Sequence, residues 1–452
     1  MVQLGNEGRG LAGRRFLLGL LVLVSLGGCP GPREAAAPLA PTPASPQGEK
    51  QELLRILRSN YLWSANLPDV DPAAFRTPKE LLEHQTRSAS GGLDTWTRLK
   101  QKTGGRLVTL AADPDEPGFG FTIALRDRHR VLVREVLPGS PAAGAGLRRG
   151  DEVLQFAETL EQLQAANRSP GLNAVLAAGG WVVKHPDPRL RNRQRCFRIR
   201  QAGTGEVVDR LLTQATVPPD PGPGPDTPPI LPAGPDRKVG YLLLREFSPA
   251  ARPGLRKAVA HFARNSVTDL IVDLRYNSGG DEETLVLLVN LLGAGVPEGT
   301  PMLRMLGNGR VPDRIHHFRP EPGAIRPERI AFVVTRETAS SSEAAVIALL
   351  PHYRSHLALV GEATHGKPVG GTSFELTGSP LVAHLMVYRV TNADGLGDYY
   401  RGLPTRTGFD GATVQAEDDL AHAPGDPAEA STAAALRWIQ DGSSDRGPIP
   451  PN

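Results

Sequence analysis

From residue 238 onward short apolar runs alternate with longer amphipathic stretches, and this alternation restricts the fold more than any other feature of the chain. Tyr241-Leu242-Leu243-Leu244, Leu270-Ile271-Val272-Asp273-Leu274, Ile330-Ala331-Phe332-Val333-Val334 and Leu357-Ala358-Leu359-Val360-Gly361 read as buried strands, and residues 255–264, 282–292 and 343–350 as helices. Repeated strand–helix units of this length predict an α/β layer architecture over residues 238–440.

Ahead of it, residues 217–235 hold the run Pro218-Pro219-Asp220-Pro221-Gly222-Pro223-Gly224-Pro225. Such a tract is expected to sustain neither helix nor sheet, so 217–237 reads as an interdomain linker. With 452 residues, 40% of them hydrophobic and 22% charged, the chain can bury a sizeable core in two or three domains. A net charge of +3, with basic and acidic residues interspersed, gives no support for a nucleic-acid partner.

The N-terminus predicts where the protein works. Arg14-Arg15 precedes an apolar run over residues 16–26 that ends at Leu26-Gly27-Gly28-Cys29. As a helix that run rises only about 16 Å, too short for a hydrocarbon core of about 30 Å, so it reads as a signal h-region. Residues 1–29 are expected to be a lipoprotein signal, with Cys29 as the lipidated terminus; an ordinary secretory signal with an incidental Cys is the alternative, and Arg14-Arg15 leaves twin-arginine export open. Residues 30–48, rich in Pro and Ala, suit an extended tether to a membrane, and Cys196 alone cannot form an intramolecular disulfide in the mature chain. The expected location is the cell envelope, on its extracytoplasmic side.

Residues 49–102 read as a helical segment, with Leu53, Leu54, Ile56, Leu57 and Tyr61 at helical spacing and a second helix beginning at Pro78. Alternating strands follow at Gly118-Phe119-Gly120-Phe121-Thr122-Ile123 and Val131-Leu132-Val133, then Ser140-Pro141-Ala142-Ala143-Gly144-Ala145-Gly146-Leu147-Arg148-Arg149-Gly150-Asp151. Over residues 103–216 this stretch resembles a β-rich PDZ domain of the bacterial kind. The resemblance implies that the backbone N–H groups of Phe119, Gly120 and Phe121 receive the terminal carboxylate of a peptide. A plain hairpin with a tight glycine turn is the simpler reading of Phe-Gly-Phe taken alone.

Two strand-to-helix junctions carry candidate chemistry. Gly279-Gly280 lies between a buried strand and a helix opening on Asp281, Glu282 and Glu283, where N–H groups can face an oxyanion, or simply make a β-to-α turn. At the second junction, Ser340-x-x-Glu343 fits a capping box, yet the same serine fits a nucleophile with the Ser341 N–H beside it. A lysine in the Gly366-Lys367-Pro368 turn can act as its base only if burial or neighbouring positive charge lowers its pKa. A triad of Ser340 with His365 and Asp273 is a rival arrangement, and His352 with His356 lacks a third ligand for zinc. No metal site and no cofactor is expected.

Taken in order, Phe-Gly-Phe, Ser-Pro-Ala-x-x-Ala-Gly-Leu, Asp-Leu-Arg-x-Asn-x-Gly-Gly, Ala-Ser-x-Ser-Glu and Gly-Glu-x-Thr-x-Gly-Lys resemble the C-terminal-processing, or tail-specific, proteases over roughly residues 50–440. That family implies a crotonase-like α/β core, Ser340 as nucleophile, Lys367 as general base, an oxyanion hole from the N–H groups of Gly279, Gly280 and Ser341, and protein substrates with free C-termini. Residues 390–399, Val-Thr-Asn-Ala-Asp-Gly-Leu-Gly-Asp-Tyr, resemble its lipoprotein branch. The chain departs from the pattern in two places. Ser340 and Lys367 stand 27 residues apart, slightly more than usual, with the extra residues expected within 351–356. The position four residues after the lysine is Gly371 in place of a Gln that orients the amine, leaving Thr372 or Ser373 to replace it. A peptide-binding envelope lipoprotein with a decayed protease site is therefore the second function consistent with the sequence. Residues 441–452 are expected to be a disordered tail, and the sequence is silent on oligomeric state.

Overall fold

Strands that are apolar on both faces need cover on both sides, and the central sheet has it. The structure is a computed structural model that describes residues 45–442, apart from 104–105, 108–116, 127–129, 166–193, 218–219, 223–226, 236 and 406–407. The leader, Cys29, residues 30–44 of the tether and residues 443–452 of the tail lie outside the described residues.

The central sheet has six strands: β7 (Ile230–Pro232), β8 (Lys238–Leu243), β9 (Asp269–Asp273), β12 (Ile330–Val334), β13 (Leu357–Gly361) and β16 (Ala412–Gln415), hydrogen-bonded in that order. β7 is antiparallel to β8 and the rest are parallel. Side-chain alternation divides the core cleanly. Leu242, Leu270, Val272, Ile330, Phe332, Val334, Leu357 and Leu359 pack under helices α3 (Ala251–Arg264), α4 (Glu282–Leu292) and α5 (Ser341–Tyr353). Val239, Tyr241, Ile271, Ala331, Val333, Ala358 and Val360 face α6 (Ala430–Asp441), which supplies Ala435, Trp438 and Ile439.

The 217–237 tract is not a simple linker. It contributes β7 to the sheet edge, and Arg245 donates its N–H to the Pro221 carbonyl at 2.8 Å. Proline is tolerated there because an edge strand needs hydrogen bonds on one side only.

A second six-stranded sheet packs beside the first, and the sequence did not announce it. Its order is β11 (Arg314–His317), β10 (Pro301–Leu306), β15 (Leu381–Asn392), β1 (Arg98–Thr103) and the short strand Arg106–Leu107, with β14 (Val369–Glu375) also paired to β15. One face of β15 presents Ala383, Leu385 and Val387 to helices α1 (Pro46–Asn60) and α2 (Pro78–Ser90), where they meet Leu53, Leu57, Tyr61 and Leu81. The 49–102 segment is thus helical only in part, since its last strand enters a core sheet, and Pro46-Gln47-Gly48, assigned to the tether, form the first turn of α1, capped by Ser45.

The described residues between 117 and 216 include a separate antiparallel sheet of β2 (Phe121–Arg126), β3 (Arg130–Val136), β4 (Glu152–Ala157), β5 (Gln194–Arg200) and β6 (Val207–Thr213), in that order, with a helical turn at Pro141–Gly144. Phe119 and Phe121 are core residues here, each edge-to-face with Phe197. Gly120, at φ +77°, is required by an internal approach: a β-carbon on it would sit 2.1 Å from Ser140 Cβ, and Ser140 donates its hydroxyl to the Gly120 carbonyl at 3.2 Å. The glycine is therefore explained by packing inside the domain, without a ligand.

β9 is fastened to α6 by buried charge. Arg275 Nε bonds both Asp273 oxygens at 2.8 and 2.9 Å, its Nη atoms reach Glu429 at 2.9 and 3.2 Å, and Glu429 caps α6 through the Thr432 N–H. Removing the one cation leaves two buried carboxylates unpaired. Arg275→Met is expected to destabilise the protein by about 3–5 kcal/mol, read as a fall in the urea midpoint; an unchanged midpoint would contradict the assignment of this cluster as the bolt between strand and helix.

Candidate active site

Both junctions singled out in the sequence, and the lysine turn, open on one cavity of about 350 Å³ whose lining includes Gly279, Gly280, Ser340, Ser341, Lys367 and His384. The first junction leaves β9 at Asp273 and is braced by Asn277, whose Nδ2 donates to the Leu244 carbonyl at 2.8 Å and whose Oδ1 accepts the Gly279 N–H at 2.9 Å. That last bond corrects one expectation. The Gly279 N–H is already engaged and cannot also serve an oxyanion, so the role of Gly279 is shape: at φ +99°, a β-carbon on it would stand 2.8 Å from Ser340 Cβ and from the Ser341 nitrogen. The N–H groups of Gly280 and Ser341 have no hydrogen-bond partner among the described residues.

The second junction pins Ser340 against the first. Ala339 donates its N–H to the Asn277 carbonyl at 3.0 Å, and the Ser342 and Ser341 hydroxyls donate to the carbonyls of Asn277 (2.9 Å) and Gly280 (2.8 Å). Ser340 itself is held at φ +57°, ψ −116°, a region a residue with a β-carbon occupies only under constraint, at a cost of about 1–3 kcal/mol. Such strain marks a side chain whose direction the surroundings dictate.

The constraint is Glu343. Of the suspected capping box, its return half is formed: the carboxylate reaches back to the Ser340 N–H at 2.8 Å. It also accepts the N–H groups of Gly366 (2.7 Å) and Lys367 (2.9 Å) and the Thr364 hydroxyl (2.5 Å). One fully buried carboxylate therefore ties the serine turn to the lysine turn. Burial pushes its pKa up, opposed by these four hydrogen bonds.

The Lys367 amine is largely withdrawn from solvent and has no ion-pair or hydrogen-bond partner among the described residues. Its pKa is lowered, first by burial and then by the Arg98 guanidinium, with Lys100 adding in the same direction and Glu343 and Asp94 opposing. Arg98 and Lys100 arrive on β1, whose register sets Arg98 opposite His384 of β15. The rival triad is not assembled. Asp273 is engaged by Arg275 and by the Tyr241 hydroxyl at 2.6 Å, while His365 Nε2 faces the Trp96 indole N–H at 3.3 Å. His352 lies edge-on to Phe318 and His356 Nδ1 meets the Glu328 carbonyl, and no group of side chains suited to a metal occurs among the described residues.

Sequence reasoning passed over Glu343 beyond its capping role, and His384 and Tyr388 altogether. The signal for the last two was present: residues 384, 386, 388 and 390 share one face of an extended run, and that face lines the cavity.

Residues 238–397 match peptidase family S41, and residues 48–96 match the peptidase S41 N-terminal domain. The chain thus carries peptidase S41 family domains. The S41 match contains Gly279, Gly280, Ser340 and Lys367, and the five-stranded sheet falls between the two matched stretches. Among curated relatives, the chloroplastic carboxyl-terminal-processing peptidase 2 of Arabidopsis thaliana is 28% identical over 278 residues, 59% of this chain and 48% of the relative. The carboxyl-terminal-processing protease of a Synechocystis species is 26% identical over 297 residues, 64% and 62% of the two chains. The chain thus spans about half to three-fifths of the length of these relatives. In fold it is similar to an S41-assigned protease from Bacteroides fragilis (TM-score 0.63, 22% identity, covering 86% of this chain and 97% of the other) and to the photosystem II D1 C-terminal processing protease (TM-score 0.51, 17% identity, 89% and 99%). The S41 fold here is mixed α/β with several sheets.

Glu343→Gln sets an amide NH₂ against backbone donors at a position closed to solvent. It is expected to cost about 1–3 kcal/mol, measured by thermal or urea unfolding; unaltered stability would remove Glu343 from its place as the clamp.

Proposed function

We propose that the protein is a serine endopeptidase of the Ser/Lys type that cuts peptide bonds near protein C-termini. The observation that carries the reading is that Ser340 and Lys367 line one cavity, are bound through their backbones to the same buried carboxylate, and leave the lysine amine in surroundings that favour its neutral form.

The chemistry follows from those positions. Ser340 Oγ attacks the peptide carbonyl carbon as Lys367 Nζ takes the hydroxyl proton. The negative charge that forms on the carbonyl oxygen is received by the N–H groups of Gly280 and Ser341, donors already oriented and otherwise unpartnered among the described residues. Collapse of the intermediate breaks the C–N bond, and the lysine ammonium returns its proton to the leaving amine. Water, deprotonated by the same amine, then hydrolyses the acyl-serine ester. No metal or organic cofactor is needed for any of these steps.

The parallel sheet flanked by α3–α5 and α6 supports a crotonase-like core, and the five-stranded sheet with its helical turn supports a PDZ-like module that would engage a substrate's free C-terminus near Phe119, Gly120 and Phe121. Relatives named for carboxyl-terminal processing support the same substrate class. The apolar leader ending at Cys29 supports a lipid-anchored protein of the cell envelope. Gly371 is what favours the second reading, a peptide-binding lipoprotein without catalysis.

A panel of peptides with free and amidated C-termini separates the two. Wild type is expected to prefer free C-termini. Ser340→Ala should abolish turnover while leaving peptide binding intact, and Lys367→Ala should lower kcat by about 10²–10⁴-fold. Equal turnover by wild type and Lys367→Ala would reject the base, and binding without turnover in wild type would favour the non-catalytic reading.

The pH profile gives an independent check. Lys367 must be neutral to accept the proton, so kcat/KM rises with pH as the amine loses its own proton. Because burial and Arg98 depress its pKa, the midpoint of that rise is expected below the ordinary lysine value of about 10.4. A midpoint at or above the ordinary value would show that the amine is not desolvated.

A further inference from the structure

β15 brings an imidazole into the same cavity. His384 stands in register between Ser373 of β14 and Arg98 of β1, on the face of β15 that lines the cavity together with Tyr388 and Val390. Its two nitrogens have different neighbours. Nδ1 lies 3.1 Å from Ser373 Oγ, whereas Nε2 lies 2.9 Å from the point where a β-carbon on Gly371 would be. The space beside Gly371, on the strand leading away from Lys367, is thus closed by Met386 Cε at 2.5 Å, the Leu385 carbonyl oxygen at 2.8 Å and this imidazole at 2.9 Å, and a side chain at 371 would have to displace them.

The charge around it fixes its protonation state. Lys100 and Arg98 from β1 and Lys367 from the turn all disfavour the imidazolium, Asp94 opposes them, and burial acts first, so that the pKa is lowered to about 4. His384 is accordingly neutral under ordinary conditions, with one ring nitrogen a donor and the other an acceptor.

We propose that His384 is a positioning residue for the Lys367 amine: Nδ1–H donates to Ser373 Oγ, and the lone pair of Nε2 accepts an N–H from Nζ, turning the Nζ lone pair toward Ser340 Oγ. A neutral amine rotates freely about its last carbon bond, and a single directed acceptor removes that freedom. In the resting structure the Nε2–Nζ bond is not formed; it closes when substrate excludes water, as hydrogen bonds in catalytic sites do. The proposal rests on the Ser/Lys reading above.

The test compares two replacements of similar bulk in the full chain, with kcat and KM measured separately on a free-C-terminus peptide. His384→Phe keeps the volume and removes the acceptor, and is expected to lower kcat by about 10- to 100-fold with KM within about twofold. His384→Gln restores an acceptor near the position of Nε2 and is expected to recover most of the rate. A residue that merely packs would give the opposite order, phenylalanine being the better tolerated in a half-buried site. Full kcat in His384→Phe, or equal losses in both variants, overturns the proposal. Should His384→Phe fail to fold, Ser373→Ala leaves the imidazole in place without its anchor; a several-fold fall in kcat at unchanged KM supports the assignment, and wild-type kcat refutes it. Loss of turnover in Lys367→Ala alongside full activity in His384→Phe would sink this proposal alone, whereas full activity in Lys367→Ala would sink the Ser/Lys reading and this proposal with it.

Discussion

A single buried carboxylate decides the geometry of the cavity. Glu343 lies at the start of α5 with no exposure to solvent, where an ionised group survives only if its lone pairs are satisfied. The donors are three backbone N–H groups and one hydroxyl, contributed by two chain segments more than twenty residues apart. The helix N-terminus adds positive partial charge on the same side. Because these donors belong to Ser340 and to Gly366-Lys367, satisfying the carboxylate is the same act as bringing the serine and lysine turns together. The strained backbone of Ser340 is sustained by this clamp and by the bonds from Asn277, and the turn that carries Lys367 is fixed in place with it.

The loop between β9 and α4 is constrained from three other directions. Behind it, Arg275 holds Asp273 and Glu429, so the loop is anchored to α6. Below it, Asn277 spans from the Leu244 carbonyl to the Gly279 N–H. On the side of the five-stranded sheet, Tyr276 sits at φ +62° with the Arg134 guanidinium 4.1 Å above its ring and its hydroxyl 2.6 Å from Asp418, which Arg149 also binds at 2.7 Å. Arg134 pairs in addition with Glu337, three residues ahead of Ser340, at 2.5 Å. Cations of β3 and of the turn before β4 thus touch both loops of the cavity, and the Gly280 and Ser341 donors are presented by a frame to which the central sheet, α6 and the five-stranded sheet all contribute.

What the sequence made legible follows from burial. The central strands are covered on both faces, so they appear as unbroken apolar runs between glycine turns, and β8, β9, β12 and β13 fall where those runs lie. Ser340, Lys367 and the glycine turn stood out because chemistry-bearing residues followed those runs in a recognisable order. The second sheet gave no such sign. β1 reads Arg-Leu-Lys-Gln-Lys-Thr, with three cations on one face, and β15 breaks its apolar residues with His384, Arg389, Thr391 and Asn392, so neither shows the unbroken apolar run of a central strand. Strand pairing between residues almost three hundred positions apart is not written in local composition, and so the approach of Arg98 to His384 was invisible.

Other misreadings share one cause, which is that a backbone group's partner is a tertiary fact. Gly279 looked like an oxyanion donor until Asn277, two residues earlier, proved to occupy its N–H. Gly120 lacks a side chain because Ser140 fills the space one would need. Gly371, read as a missing side chain, is pressed by the adjacent strand: a β-carbon there would meet Met386 Cε, the Leu385 carbonyl and the His384 imidazole, so a polar group already stands 2.9 Å from the vacant position. A sheet permits this since neighbouring strands present side chains to a shared face about 5 Å apart, and a polar group needed at one point of a cavity can come from either. The absence of a residue from its usual place in a sequence motif is therefore weak evidence that its function is absent from the folded site.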